Sequence, residues 1–130
     1  MRRRDQPMPE ALVEQRRRED AAPRLREEIA DLQSLRIRLD DVRAEGRVVI
    51  ASYVRPIMVA TAPAHFELRC MEPRCDGRHD LTRDVLRALH KAQVSFSGQS
   101  SCPGMVGPTP CDRLLEYTCD ATYGAKAHQA

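Results

Sequence analysis

The chain has 130 residues, 31% of them charged and 4% aromatic, with 21 Lys plus Arg against 19 Asp plus Glu and a net charge of +2. That is about one domain's worth of chain on the usual scale of roughly 100–200 residues, and so mild a charge excludes polyanion binding driven by net charge alone. Asp5-Gln6-Pro7 follows Met1-Arg2-Arg3-Arg4 where a signal peptide would carry apolar residues, and no apolar run approaches the roughly 18–20 residues that span a bilayer; the expectation is a cytoplasmic protein with no membrane segment.

Residues 1–22 hold the triplets Arg2-Arg3-Arg4 and Arg16-Arg17-Arg18, with Leu12 and Val13 as the large aliphatic side chains. So little apolar surface cannot offset the entropy of ordering the segment, which reads as a flexible charged tail. Over residues 23–46 the pattern predicts one long amphipathic helix. Leu25, Ile29, Leu32, Leu35, Leu39 and Val42 recur at steps of three and four, which places them on one stripe. Pro23 suits a first turn and Gly46 the left-handed position after a last turn, while Arg24/Glu28 and Arg36/Asp40 stand at i,i+4 on the opposite face. A helix of that span is roughly 34 Å long. Its narrow stripe must be buried, against a partner helix or a second copy as a possible coiled coil, or against the rest of the chain.

Residues 47–123 carry the composition of a small α+β domain. Arg47 to Thr61 is rich in β-branched types and interrupted at Pro56, which predicts two short strands or one strand with a break at the proline. His65 to Cys70 alternates strictly, with Phe66, Leu68 and Cys70 on one face and His65, Glu67 and Arg69 on the other. Asp80 to Ala92 predicts a helix capped by Asp80, with Leu81, Val85, Leu86 and Leu89 on a core arc and Arg83, Arg87, His90 and Lys91 on a basic one. Val94 to Ser97 alternates again up to Gly98, Gln99 to Pro110 has the composition of a loop, and from Arg113 a last strand places Leu115, Tyr117, Cys119, Ala121 and Tyr123 on one face. Residues 124–130 carry no signal and read as a flexible tail.

Five cysteines in a reducing compartment divide into four ligands and one spare. Cys70 and Cys75, and Cys102 and Cys111, form two pairs in turns rich in Pro and Gly: Pro73 and Gly77 flank Cys75, Pro103 and Gly104 follow Cys102, and Pro110 precedes Cys111. Two thiol pairs held in turns suit tetrahedral Zn2+. The expected ligands are Cys70, Cys75, Cys102 and Cys111, with His79 as the alternative for one thiol. Two disulfides plus a free thiol, in an oxidising compartment, and cysteines buried as small apolar groups remain the competing readings. Cys119 shares its strand face with Leu115 and Tyr117 and reads as a core thiol.

Residues 66–119, with paired cysteine turns around a small sheet and helix, resemble zinc-ribbon and treble-clef modules, although the spacings of four and eight residues between thiols are longer than the usual two. The resemblance implies a structural zinc ion. The expected fold class is α+β: a long N-terminal amphipathic helix, then a small antiparallel sheet plus one helix built around a four-cysteine metal site. The expected function is a zinc-stabilised interaction or adaptor module that recruits a protein partner, or dimerises, through the stripe Leu25, Ile29, Leu32, Leu35, Leu39 and Val42. The alternative is nucleic-acid binding by Arg83, Arg87, His90 and Lys91, with Arg69, Arg74 and Arg78 nearby. An enzyme is not expected: no C-x5-R phosphate loop surrounds any cysteine, neither H-E-x-x-H nor P-C-x-x-C occurs, and four protein ligands close a metal site to substrate.

Overall fold

Residues 10–124 are described by the computed structural model, and their central element is a strand where the spacing of apolar residues predicts a helix. Helix α1 spans Glu10–Ala21, within the segment read as a tail, and α2 is a single turn, Leu25–Glu28. The chain then turns and runs as β1, Leu32–Arg43. A short 3-10 turn, Glu45–Arg47, returns it into β2, Val48–Ile57. Gly46 has a φ of 74°, so the left-handed glycine is real but serves this hairpin rather than the end of a helix.

The long amphipathic helix over residues 23–46 is therefore corrected to one helical turn and a twelve-residue strand. Leu35-Arg36-Ile37-Arg38-Leu39 alternates with period two, and Ile37, which the helical stripe omits, completes that pattern. Both edges of β1 are paired: Leu39 stands opposite Tyr53 of β2 on one side and opposite Tyr117 of β8, Arg113–Tyr123, on the other. Local preference for helix in a segment rich in Leu and Arg amounts to tenths of a kcal/mol per residue, and two ladders plus a buried face outweigh it. Leu25, Leu35, Leu39 and Val42 are at most 2% exposed, and Ile29 and Leu32 are buried as well. The stripe assigned to a partner is interior to this chain.

The remaining elements are β3 (Glu67–Arg69), β4 (Arg78–Asp80), α3 (Thr82–His90), β5 (Ser95–Ser101), β6 (Met105–Val106) and β7 (Thr109–Pro110). The main sheet is antiparallel with four strands in the order β2-β1-β8-β5, larger than the small sheet expected, and β3-β4 and β6-β7 form two separate hairpins. Pro56 does not break β2, because β2 is the sheet edge, where a missing N–H is tolerated. Residues 99–110, read as loop, instead continue β5 to Ser101 and then form the β6-β7 hairpin. Gly98 does not end that strand. It pairs with Tyr117, whose phenol carbon would stand 2.6 Å from any Cβ placed at residue 98.

One face of the sheet forms the core. Leu35, Ile37, Leu39, Tyr117, Cys119 and Ala121 point into it, and Leu25, Ile29, Phe66, Leu81, Val85 and Leu89 cover it. The strand-face reading of Cys119 holds: it is 0% exposed in this core, and burial pushes its thiol up to about 12.

Helix α1 buries none of its own residues and is held by charge. Arg18 donates to both carboxylate oxygens of Glu67, at 2.8 and 2.6 Å, and Gln15 Nε2 donates to the Glu67 carbonyl at 3.0 Å. His65 and Arg78 also reach Oε1 of Glu67, at 2.8 and 3.3 Å. The Arg18 hydrogen bonds, with those from His65 and the charge of Arg78, hold the buried Glu67 carboxyl down at about 2 against an ordinary 4.5. A depressed folded-state value adds stability that is complete above about pH 4.5 and disappears as pH falls towards 2. Thermal denaturation across that range should show a loss on the order of 2–3 kcal/mol from this carboxylate. Glu67→Gln should flatten that part of the pH profile and expose α1 to proteolysis; an unchanged acid profile in the variant would contradict this role.

Candidate metal centre

The four expected cysteines converge. Sγ of Cys70, Cys75, Cys102 and Cys111 all lie within 4.8 Å of one another, with Cys70 to Cys111 and Cys75 to Cys102 each 3.6 Å apart. A tetrahedron of thiolates at the usual zinc–sulfur length of about 2.3 Å has edges of roughly 3.8 Å. All five cysteines are free thiols, since a disulfide would need sulfurs at about 2.05 Å. The cluster could hold a metal ion, and its donor set fits one that prefers sulfur in tetrahedral geometry.

Two turns of matching construction supply the thiols. Cys70 follows β3 and Cys75 lies in the β3-β4 connection; Cys102 follows β5 and Cys111 follows β7. In the first turn the Gly77 N–H donates to Cys75 Sγ at 3.3 Å, and the Gly77 carbonyl accepts the Cys70 N–H at 2.9 Å. In the second the Gly104 N–H donates to Cys102 Sγ at 3.4 Å, and the Gly104 carbonyl accepts the Cys111 N–H at 3.0 Å. Backbone N–H groups aimed at sulfur favour the thiolate form. The unusual x4 and x8 spacings follow from this plan: the first pair spans a plain turn, and the second encloses the β6-β7 hairpin.

The two glycines also face one another. A Cβ on Gly77 would stand 2.6 Å from Cys102 Sγ, and one on Gly104 would stand 2.6 Å from Cys75 Sγ, each also within 3.0 Å of the opposite glycine's backbone. Only hydrogen at both positions lets the turns close. The centre is anchored to the main sheet as well: Cys102 N–H donates to the Arg113 carbonyl at 3.0 Å, and Arg113, from β8, pairs with buried Asp41 of β1 at 2.5 Å and with Glu72 of the first turn at 3.5 Å.

Burial raises the Cys70 thiol and pushes Cys102 up to about 11. At Cys75 burial acts in the same direction, but the Gly77 N–H and the neighbouring thiols outweigh it and lower the value. Four thiolates this close need a cation to balance them.

Other candidate residues are dispersed. His79 does not join the ligand cluster: it is 3% exposed and its Nδ1 lies 3.0 Å from Ser100 Oγ, and burial lowers its pKa. Helix α3 begins at Thr82, with Leu81 rather than Asp80 at the cap position, although Asp80 Oδ1 accepts the Thr82 N–H at 3.1 Å. Arg83, Arg87 and Lys91 are exposed on α3 and just past its end, whereas His90 Nε2 lies 2.9 Å from Glu28. Arg78 is engaged by Glu67 and Arg74 by Glu72. Sequence reasoning missed Glu67 and Asp41; each is a charged residue buried by a partner far along the chain, a pairing with no local signature.

No family model, curated protein or solved structure matches this chain.

Two expectations follow. Gly77→Ala and Gly104→Ala should each lower metal affinity by roughly tenfold or more, since the clash falls on the ligand sulfur itself; competition with a chromophoric chelator measures it, and wild-type affinity in both variants would refute the packing argument. Thiols raised by burial are protonated near neutrality, so ion binding must displace protons. Apparent affinity should therefore fall as pH falls, by roughly tenfold or more per unit between about pH 8 and 6, and calorimetry in buffers of different ionisation enthalpy should register the released protons.

Proposed function

We propose that this protein is a zinc-stabilised, non-enzymatic interaction module. The observation that carries the reading is the closure of the centre: four cysteine sulfurs within 4.8 Å, drawn from two matching turns. Zinc suits a set of four thiolates, and such a sphere leaves no open position for a substrate or an activated water. Its work is then mechanical: it joins the two hairpins to the end of the main sheet, in a chain whose aromatic content of 4% supplies little bulk for a core. Free thiols in this arrangement suit a reducing, cytoplasmic compartment.

With Leu25 to Val42 interior, the partner surface moves to the sheet edge. Val48, Val49, Ile50 and Val54 of β2 are 42–49% exposed, and β2 has a neighbour on one side only among the described residues. An edge of that kind accepts an added strand from a second copy or a protein partner.

A second reading has one observation in its favour. Arg83, Arg87 and Lys91 are exposed along a helix whose other side, Val85, Ala88 and Leu89, is buried, so a basic face is offered to nucleic acid. Asp84 stands exposed among those charges and His90 is engaged by Glu28, which weakens the positive field and ranks this reading second.

Metal analysis of the purified protein should give about one equivalent of zinc, and chelation should lower the melting temperature by roughly 10 °C or more. Zinc far below one equivalent with unchanged melting would defeat the proposal. Light scattering or partner binding that is lost in Val49→Lys/Val54→Lys, with the fold retained, supports the edge. Salt-dependent binding to random duplex or single-stranded nucleic acid, lost in Arg83→Ala/Arg87→Ala, would instead favour the second reading.

A further inference from the structure

The inner face of β2 is only partly covered, and the opening beneath it has the chemistry of a binding site. Two cavities adjoin there, of about 160 and 210 Å³, and share Arg55 and Leu68 in their walls. The smaller is mainly apolar, walled by Ile37, Leu39, Phe66 and Leu81, with the carboxylates Glu19 and Glu67 at its rim, Glu67 being engaged by Arg18. The larger brings Tyr53, Arg55, Arg69 and His79 together beside Leu115 and Met71. A cavity of about 150 Å³ with such walls is large enough for a benzene ring.

Polar groups at the second cavity are left over from the fold. The Tyr53 hydroxyl is buried and has no hydrogen-bond partner among the described residues, which is a costly state for a buried donor. Arg55 lines both cavities and forms no ion pair among the described residues. Asp41 also lines this cavity, but Arg113 engages it at 2.5 Å. His79 commits Nδ1 to Ser100. The cation left without an ion-pair partner at this end is Arg55, beside a hydroxyl in need of an acceptor.

We propose that this cleft binds a small carboxylate with an apolar body, the carboxylate taken by Arg55 and the Tyr53 hydroxyl and the aryl or alkyl body lying on the Ile37, Leu39 and Phe66 wall. A carboxylate offers two oxygens and about four acceptor sites, enough for a guanidinium fork and one hydroxyl at once. The apolar neighbour selects against bare inorganic anions, which would leave it unfilled. No cysteine among the described residues lines the cleft, although Arg69 and Met71, which flank Cys70, do, and the proposal does not depend on the reading of the metal.

The test is titration of the full chain with 3-phenylpropionate, octanoate, inorganic phosphate and the neutral 3-phenylpropanamide, followed by amide NMR shifts and calorimetry. Saturable shifts at Tyr53, Arg55, Leu68 and Arg69 are expected with one or both carboxylates, the aryl and alkyl arms deciding which body fits. Affinity should drop roughly tenfold for the neutral amide and for Arg55→Gln, and severalfold for Tyr53→Phe, as loss of a charge-assisted contact requires. Arg55 is exposed and Tyr53→Phe keeps the ring, so both variants retain the fold, which their amide spectra verify. Absence of saturable shifts with either carboxylate up to about 10 mM, shifts located elsewhere, equal binding of the amide, or tighter binding of phosphate than of both carboxylates would overturn the proposal.

Discussion

Double pairing of β1 is the constraint on which the rest of the molecule depends. Because β2 and β8 flank it in register, one set of β1 side chains must face inward together, and Leu35, Ile37 and Leu39 become the floor of the core. The same register puts Asp41 at the far end of that floor, opposite Leu115. Arg113 can then reach Asp41 and Glu72 at once. The sheet and the cysteine turns are in this way parts of one framework, joined by a buried charge pair and by the Cys102 backbone bond to β8. Pairs of that kind are costly to break singly, which makes them effective at fixing geometry.

Two clusters of polar side chains divide the other tasks. Glu67 gathers Arg18, His65 and Arg78 and so brings α1 onto a domain to which it contributes no buried side chain. The cysteine cluster gathers four sulfurs and closes the end of the sheet. Between the two runs the cleft under β2, lined by Arg55 and by a Tyr53 hydroxyl with no hydrogen-bond partner among the described residues.

Much of the C-terminal part was legible from local pattern. The alternation Leu115, Tyr117, Cys119, Ala121 has one reading, and it yields both β8 and the place of Cys119 in the core, apart from the cysteine cluster. Val85 and Leu89, with Leu81 at the cap, likewise specify the buried side of α3. For the convergence of the four thiols, spacing and turn residues were enough, because thiols beside Pro and Gly are placed by backbone geometry within a few residues. The stretch from Leu32 to Val42 was not legible: apolar residues at 32, 35, 39 and 42 satisfy a helical step, while 35, 37 and 39 satisfy a strand. Glu67 was invisible for a different reason, since the Arg18 that buries it lies 49 residues away.

The sequence by itself therefore determined the elements whose chemistry is local: the last strand, the amphipathic α3, and four cysteines in glycine turns able to take a metal. Tertiary structure alone decided that residues 32–43 are a central strand, that the supposed partner stripe is core, that His79 stands outside the ligand set, and that Gly77 and Gly104 meet across the site. The physical reason is common to all four. Each depends on a contact between segments distant in the chain, where ladder pairing and burial outweigh preferences of tenths of a kcal/mol per residue.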